Sequence, residues 1–280
     1  MTIRRKTTVC GSKREYVEVE IFPFWEIPRQ RKRKSRYKES SPVQKELNDK
    51  HAKKYFARLA ECNFGKDDWF LTLTYDNEHL PRSIEEAEHQ WELFSRRVKR
   101  LAKKKGCKVR FLEVTEQSAK GRFHHHVLVG QDCGLSREEI MSCWHNGWCD
   151  CKEVWEDREK NVARLAKYMT KTMSGTRRWK SSRGLKKPQV FVNDNVISNK
   201  RYRELSLFRE NSVECRKKWE EFYPGYEVIG YENVVNPEYG GNYISVKLRR
   251  VETPPSLRDT SPNWEAKRKG GRRCSVQRTL

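Results

Sequence analysis

The sequence predicts an α+β fold, an antiparallel sheet of split βαβ (ferredoxin-like) topology with helices packed on it. Three observations carry the prediction. Segments rich in β-formers stand at Trp69–Tyr75, Lys108–Glu116, Phe123–Val129 and Trp148–Val154, each of strand length. A helical stripe of Ile84, Ala87, Trp91, Phe94, Val98 and Leu101 separates the first from the second. A shorter helix, opened by Ser136 with Glu139 and closed by Gly147, separates the third from the fourth. In order these give β-α-β-β-α-β, an antiparallel sheet with helices on one face.

The flanking segments follow the same logic. Thr7–Cys10 and Tyr16–Phe22 read as a hairpin about Gly11-Ser12-Lys13, because Val17, Val19 and Ile21 alternate with Glu18 and Glu20. Arg29–Arg36 is a run of positive charge, expected as a solvated linker able to lie along DNA. Ser41 and Pro42 open a helix running to about Phe64-Gly65. Ser83 with Glu86 caps the helix that ends before Gly106. Asn161–Met173 is a further helix, and basic segments dotted with aromatics follow Gly175. Tyr226–Val235 and Asn242–Leu248 make a late hairpin before a polar basic tail, expected to be disordered. The expected domains are therefore a hairpin and basic linker over 1–40, one catalytic-sized domain over 41–250, and a tail over 251–280.

Composition narrows the function. The 280 residues carry 60 Lys and Arg against 38 Asp and Glu, a net charge of +22, which points to a polyanion, foremost nucleic acid. No run of about eighteen apolar residues occurs, and the start MTIRRKTTVCGSK turns polar at once, so a soluble, non-exported chain with no membrane partner is expected. Nine scattered cysteines suit reduced thiols. A hydrophobic share of 35% favours one core of moderate size over two full domains. There is no G-x-x-x-x-G-K-[ST] loop, which excludes a helicase of the P-loop kind.

The most informative segment is Gly121-Arg-Phe-His-His-His-Val-Leu-Val-Gly130, which holds three of the seven histidines. On a strand, His124 and His126 share one face and His125 takes the other. Two imidazoles on one strand face form a two-toothed clamp for a metal ion. A third ligand is needed, and Glu116 is the best placed by position, with Glu113 second. Such a set leaves coordination sites open for a Lewis acid acting on a bound oxyanion. On the helix Asn161–Met173, Val162, Leu165, Ala166, Met169 and Met173 gather on one face. Tyr168 sits at its flank beside Arg164 and Lys171. A tyrosine on a rigid element beside cations has the surroundings a phenolate nucleophile requires. Tyr75 is the reserve nucleophile, at a strand end where an exposed tyrosine usually caps a sheet edge.

These pieces together resemble the HUH-type rolling-circle replication initiators of small single-stranded-DNA phages and plasmids. The matching motifs are Phe70-Leu-Thr-Leu-Thr-Tyr75, then His124-His125-His126 with histidine at the usually hydrophobic middle position, then Tyr168-Met-Thr-Lys171. The resemblance covers about residues 65 to 190, including Trp144-x-x-Gly147 and Ser182-Arg-Gly-Leu-Lys-Lys-Pro188. It implies an HUH endonuclease in the cytoplasm of a bacterial host. Mg²⁺ or Mn²⁺ on His124, His126 and Glu116 would polarise the scissile phosphate of single-stranded or hairpin origin DNA. Tyr168 would form a 5′-phosphotyrosyl link and free a 3′-OH, with Lys171 stabilising the charge. Host helicase and DNA polymerase would be partners. Some members carry a second tyrosine one turn away, where this chain has Arg164. Candidate DNA contacts are Thr72, Thr74, Arg164, Lys167, Arg177, Arg178, Trp179, Lys180, Lys186 and Lys187.

Plainer readings stand beside these. Thr72 and Thr74 fit ordinary β-propensity. Cys143, His145, Cys149 and Cys151 are close enough in sequence to suggest zinc but lack a C-x₂-C pair. The same site would serve a transposase or relaxase, although the histidines preceding the tyrosine argue against most relaxases. A DNA-binding regulator with a structural metal is the reading outside enzymes, and it leaves Tyr168 without a role.

Overall fold

The computed structural model describes residues 2–11, 15–24, 41–154, 162–171, 179–194, 196–209, 212–236 and 240–251. In chain order the elements are β1 (Thr2–Cys10), β2 (Tyr16–Phe24), α1 (Pro42–Asn63), β3 (Trp69–Tyr75), α2 (Ile84–Lys104), β4 (Phe111–Gln117) and β5 (Phe123–Val129). There follow α3 (Arg137–Met141), β6 (Gly147–Glu153), α4 (Val162–Met169), β7 (Lys180–Ser181), β8 (Gln189–Asn193), α5 (Asn199–Ser206), α6 (Val213–Phe222), β9 (Tyr226–Asn236) and β10 (Gly241–Arg250). The fold is α+β, with two five-stranded sheets in which every strand pair is antiparallel. Two compact units result, one of residues 38–187 and one of the described parts of 1–37 and 188–280.

In the 38–187 unit the strand order is β6-β3-β5-β4-β7. β5 runs antiparallel to both of its neighbours, so β3 and β4 point the same way with β5 between them. α2 joins β3 to β4 and begins as its sequence specifies: Ser83 Oγ accepts from Glu86 N–H at 3.3 Å. The Glu86 carboxylate turns back to Arg82 N–H at 2.8 Å, one residue short of a full capping box. Ala87, Trp91, Phe94, Val98 and Ala102 of α2 pack with Ile140 of α3 on the sheet face formed by Leu71, Leu73, Phe111, Phe123, Val127 and Val129. The other face is covered as well. Phe56, Leu59 and Ala60 of α1, with Val162, Ala166 and Met169 of α4, bury Leu112, Val114 and Leu128. Helices thus lie on both faces and not on one, because the two helices outside the β-α-β-β-α-β run close the second side.

Three expectations are corrected here. The helix after Ser136 was expected to reach Gly147, but α3 stops at Met141. The chain then locks onto the end of β3: Trp144 Nε1–H donates to Thr74 O at 2.9 Å, and Asp76 N–H donates to Asn146 O at 3.0 Å. Gly147 serves this close approach and does not end a helix. Its φ is +139°, and a Cβ there would stand 2.6 Å from Thr74 O and closer still to Asp76 N.

The second correction concerns the first hairpin, expected to stand alone with the late hairpin inside the catalytic domain. Instead β1-β2 and β9-β10 pair with each other in the order β8-β1-β2-β10-β9, with Val17 opposite Leu248 and Val19 opposite Val246. Trp219, Phe222, Tyr202 and Leu205 of α5 and α6 cover Ile3, Val17, Val19, Ile21, Ile244 and Val246. There are accordingly two units with separate cores where one core was expected. The third correction is that residues after 188 form regular structure of their own. The runs 29–36 and 252–280 lie outside the described residues.

Gly147→Ala should therefore destabilise the 38–187 unit by about 2 kcal/mol or more, since it adds backbone strain and a backbone clash. Urea unfolding followed by circular dichroism checks this. An unchanged midpoint would refute the assigned role of Gly147.

Candidate active site

β5 sets the site by its two-residue alternation. Opposite His124 stand Glu116 on β4 and Thr74 on β3, and opposite His126 stand Val114 and Thr72. These residues share one face, the face that α1 and α4 cover further along. The structure therefore brings Glu116 to the histidine pair, while Glu113 falls on the opposite face.

The geometry is tight. Glu116 Oε2 lies 3.1 Å from His124 Nε2 and 3.2 Å from His126 Nε2. One ligand atom from each of the three side chains falls within 4.8 Å of the others, and among the described residues no other group of three does so. The two rings are edge to face at 5.0 Å between centroids. Phe70 stacks on the His126 ring at 5.8 Å, and Thr72 Oγ1 lies 3.4 Å from its Nδ1. His126 is 1% exposed whereas Glu116 and His124 are part-exposed, so the cluster opens toward solvent on one side. Burial pushes His126 down to about 4, helped by His124 and opposed by Glu116. Its imidazole is thus neutral near pH 7 and presents a lone pair. Two imidazoles and a carboxylate form a donor set that suits a divalent ion with open positions.

His125 has a different role. It is 0% exposed among Trp91, Trp144 and Tyr75. Its Nε2 lies 2.7 Å from Tyr75 Oη and its Nδ1 lies 2.9 Å from Glu113 Oε1. Thr115 Oγ1 donates to the same Glu113 oxygen at 2.6 Å. A neutral ring that donates from Nδ1 and accepts at Nε2 satisfies every partner. Burial, reinforced by Glu113 and Glu86, holds the Tyr75 phenol well above its usual range. Tyr75 is buried and occupied, which removes it as the reserve nucleophile expected from its strand-end position. This polar network was missed in the sequence, although the parity of Glu113, Thr115 and His125 on adjacent strands pointed to it.

α4 delivers the tyrosine. Val162, Ala166 and Met169 are buried, and Tyr168 is 55% exposed with its ring edge-to-face on His126, 5.1 Å between centroids. α4 is shorter than the expected 161–173, and Met173 lies outside the described residues. Lys171 is exposed one turn beyond Tyr168, and its carbonyl accepts from Lys53 Nζ of α1 at 3.2 Å. Arg164 and Lys167 are exposed on the same helix.

The remaining candidates divide. Thr74 Oγ1 donates to Trp148 O at 3.2 Å, so both first-motif hydroxyls are engaged within the sheet. Trp179 packs against Phe56 and Tyr55 at 5.8 and 6.2 Å, where it completes the core beneath α1 and does not stand free in a groove. Lys180 Nζ pairs with Glu88 at 3.2 Å. Lys186 and Lys187 are exposed on a loop that Asn63 anchors through the Lys186 backbone. Arg177 and Arg178 lie outside the described residues. Cys143, Cys149 and Cys151 are buried in the α2-side core, where burial drives the last two thiols up to about 12 and about 11. His145 joins no metal-competent group with them.

A pH prediction follows from His126. In the unfolded chain its imidazole titrates near 6.5 and in the fold near 4. Between these values the unfolded chain holds the extra proton, so acidification across this window lowers stability. In metal-free protein the loss attributable to this residue should be about 2–3 kcal/mol from pH 6.5 to 4. Urea titrations should show His126→Gln flattening that slope, and an equal slope in the variant would assign it to another group.

No curated protein matches the chain. Among solved structures, the hypothetical protein ORF119 from Sulfolobus islandicus rod-shaped virus 1 is similar with a TM-score of 0.31 and 17% identity, over 44% of this chain and 95% of that one. Residues 68–173, which hold Glu116, the three histidines, Tyr168 and Lys171, match the family described as Replication-associated protein ORF2, which indicates a replication-initiator type of family for this stretch.

Proposed function

We propose that the chain is a rolling-circle replication initiator of the HUH type, which nicks and rejoins one DNA strand through a 5′-phosphotyrosyl link on Tyr168. The observation that carries the reading is that the exposed Tyr168 ring meets His126, itself 3.2 Å from the carboxylate that also contacts His124. The family match over residues 68–173 supports a role in replication. The order β6-β3-β5-β4, with β5 inserted between two strands of one direction, supports the split βαβ topology.

Glu116, His124 and His126 would hold Mg²⁺ or Mn²⁺, which when bound supplies charge stabilisation at a phosphate oxygen. The rest belongs to the chain's own residues. α4 fixes Tyr168 through Ala166 and Met169, so its oxygen is presented from a stiff element. Tyr168 Oη attacks phosphorus, a P–O bond to tyrosine forms, and the bond to the 3′ oxygen breaks. The freed 3′-OH primes a DNA polymerase, and the retained phosphodiester allows rejoining. Lys171, Lys167 and Arg164 lie on the same helix and would offset the charge of the phenolate and the strand. With no phosphate loop of its own, the chain depends on a host helicase to part the duplex. Thr72 orients His126 and is not assigned a DNA contact.

Two predictions test this. Tyr168→Phe removes one oxygen from an exposed ring, so it should fold and bind DNA but form no SDS-resistant adduct with hairpin DNA and Mn²⁺. Peptide mapping of the wild-type adduct should place the DNA on Ala166–Lys171, and an adduct persisting in the variant would move the nucleophile elsewhere. His124→Ala and His126→Ala should each abolish nicking with DNA binding nearly intact. His125→Ala should act through stability, costing about 3 kcal/mol or more because it leaves Glu113 buried without its imidazole. A folded His125→Ala protein that binds no Mn²⁺ would contradict the division of the three histidines between faces.

A further inference from the structure

We infer that Trp148 is a stacking platform for an unpaired base of the DNA strand whose phosphate lies on the Glu116–His124–His126 cluster. The inference rests on the functional reading above and adds a recognition residue to it. Six tryptophans fall among the described residues, and five are buried or half-buried while Trp148 is 70% exposed. A single exposed aromatic is ordinary on a protein surface, so position has to carry the argument. Trp148 stands opposite Thr74, which stands opposite His124, which stands opposite Glu116. The four therefore form one row across β6, β3, β5 and β4, all on the face that carries the cluster. Two strand spacings separate Trp148 from His124, roughly 10 Å, a distance a base within a couple of nucleotides of the bound phosphate can cover.

The local backbone holds the indole at that place. Thr74 Oγ1 donates to Trp148 O at 3.2 Å, and Gly147 before it is pinned against Thr74–Asp76. Trp148 lies on β6, an edge strand of this sheet, so the outer side of its row is open. Tyr168 is the other exposed aromatic at the cluster. The surroundings favour a polyanion: the turn between β4 and β5 carries exposed Lys120 and Arg122 at the same end of the sheet, in a chain of net charge +22. A π-face near cations and a phosphate-binding cluster is the combination that binds unpaired DNA without reading its sequence.

The test is binding, read separately from nicking. Wild type, Trp148→Ala and Trp148→Phe are titrated with a fluorescent single-stranded oligonucleotide, with the same oligonucleotide carrying abasic sites, and with a duplex of equal length. Trp148→Ala should weaken single-strand binding roughly 5- to 100-fold, the range base–aromatic stacking supports. Trp148→Phe should retain most of it. The difference between wild type and Trp148→Ala should shrink on the abasic strand and vanish on the duplex. The wild-type tryptophan emission should be quenched by the single strand, and Trp148→Phe should lack that component. Equal affinity of wild type and Trp148→Ala for the single strand would overturn the inference, as would an equal loss on all three ligands. A wild-type protein that shows Trp148-dependent binding yet forms no phosphotyrosyl adduct would overturn the catalytic reading alone.

Discussion

β5 carries imidazoles on both faces of a sheet whose two faces are both packed, and each face meets that burden differently. On the α2 side, His125 is enclosed with Glu113, Thr115 and Tyr75, so that every polar atom of the ring has a partner. On the other side, His124 and His126 converge on one oxygen of Glu116 and are left facing a partly open cluster. A buried polar network that is fully paired stiffens its strand. A strand held rigid from behind keeps two ligands at fixed spacing in front. The histidine between the pair is therefore part of how the pair is held.

The electrostatics of the open side favour ligation over a charged histidine pair. Burial disfavours the imidazolium form of His126, and the neighbouring His124 disfavours it further, while Glu116 pulls the other way. Desolvation dominates, so the ring stays neutral and the carboxylate faces two lone-pair donors. The basic residues of α4 stand on its exposed side, and its apolar side fills the gap over Leu112 and Val114. One helix thus divides its faces between packing and charge.

The second unit depends on contacts far apart along the chain. β2 and β10 pair residues more than two hundred positions apart, Val17 with Leu248 and Ile21 with Ile244. The 38–187 unit is thus an insertion in the chain of the other, and its β3–α2–β4–β5 contacts are far more local. Loop-closure entropy makes the late pairing the slower of the two to form.

Local signals in the sequence determined the strands β3, β5 and β6, the Ser41, Ser83 and Ser136 caps, and the α2 stripe. They also determined which two histidines share a face, because strand parity is a property of the backbone alone. What the tertiary structure decided was everything that depends on which segments meet. The choice of Glu116 over Glu113 follows from register between β4 and β5, which no single strand encodes. The enclosure of Tyr75, the burial of Trp179 under α1 and the covering of both sheet faces depend on helices whose docking is not local. Gly147 looked like a helix end and proved to be a close backbone approach, since the Trp144 and Asn146 contacts that shape it come from β3. α6 left a legible trace in the spacing of Cys215, Trp219 and Phe222 behind Ser212, but its stripe is narrow among charges. The pairing of the two hairpins left none. Each hairpin has its own alternation, and alternation marks a strand as half-buried without saying against which partner it will lie.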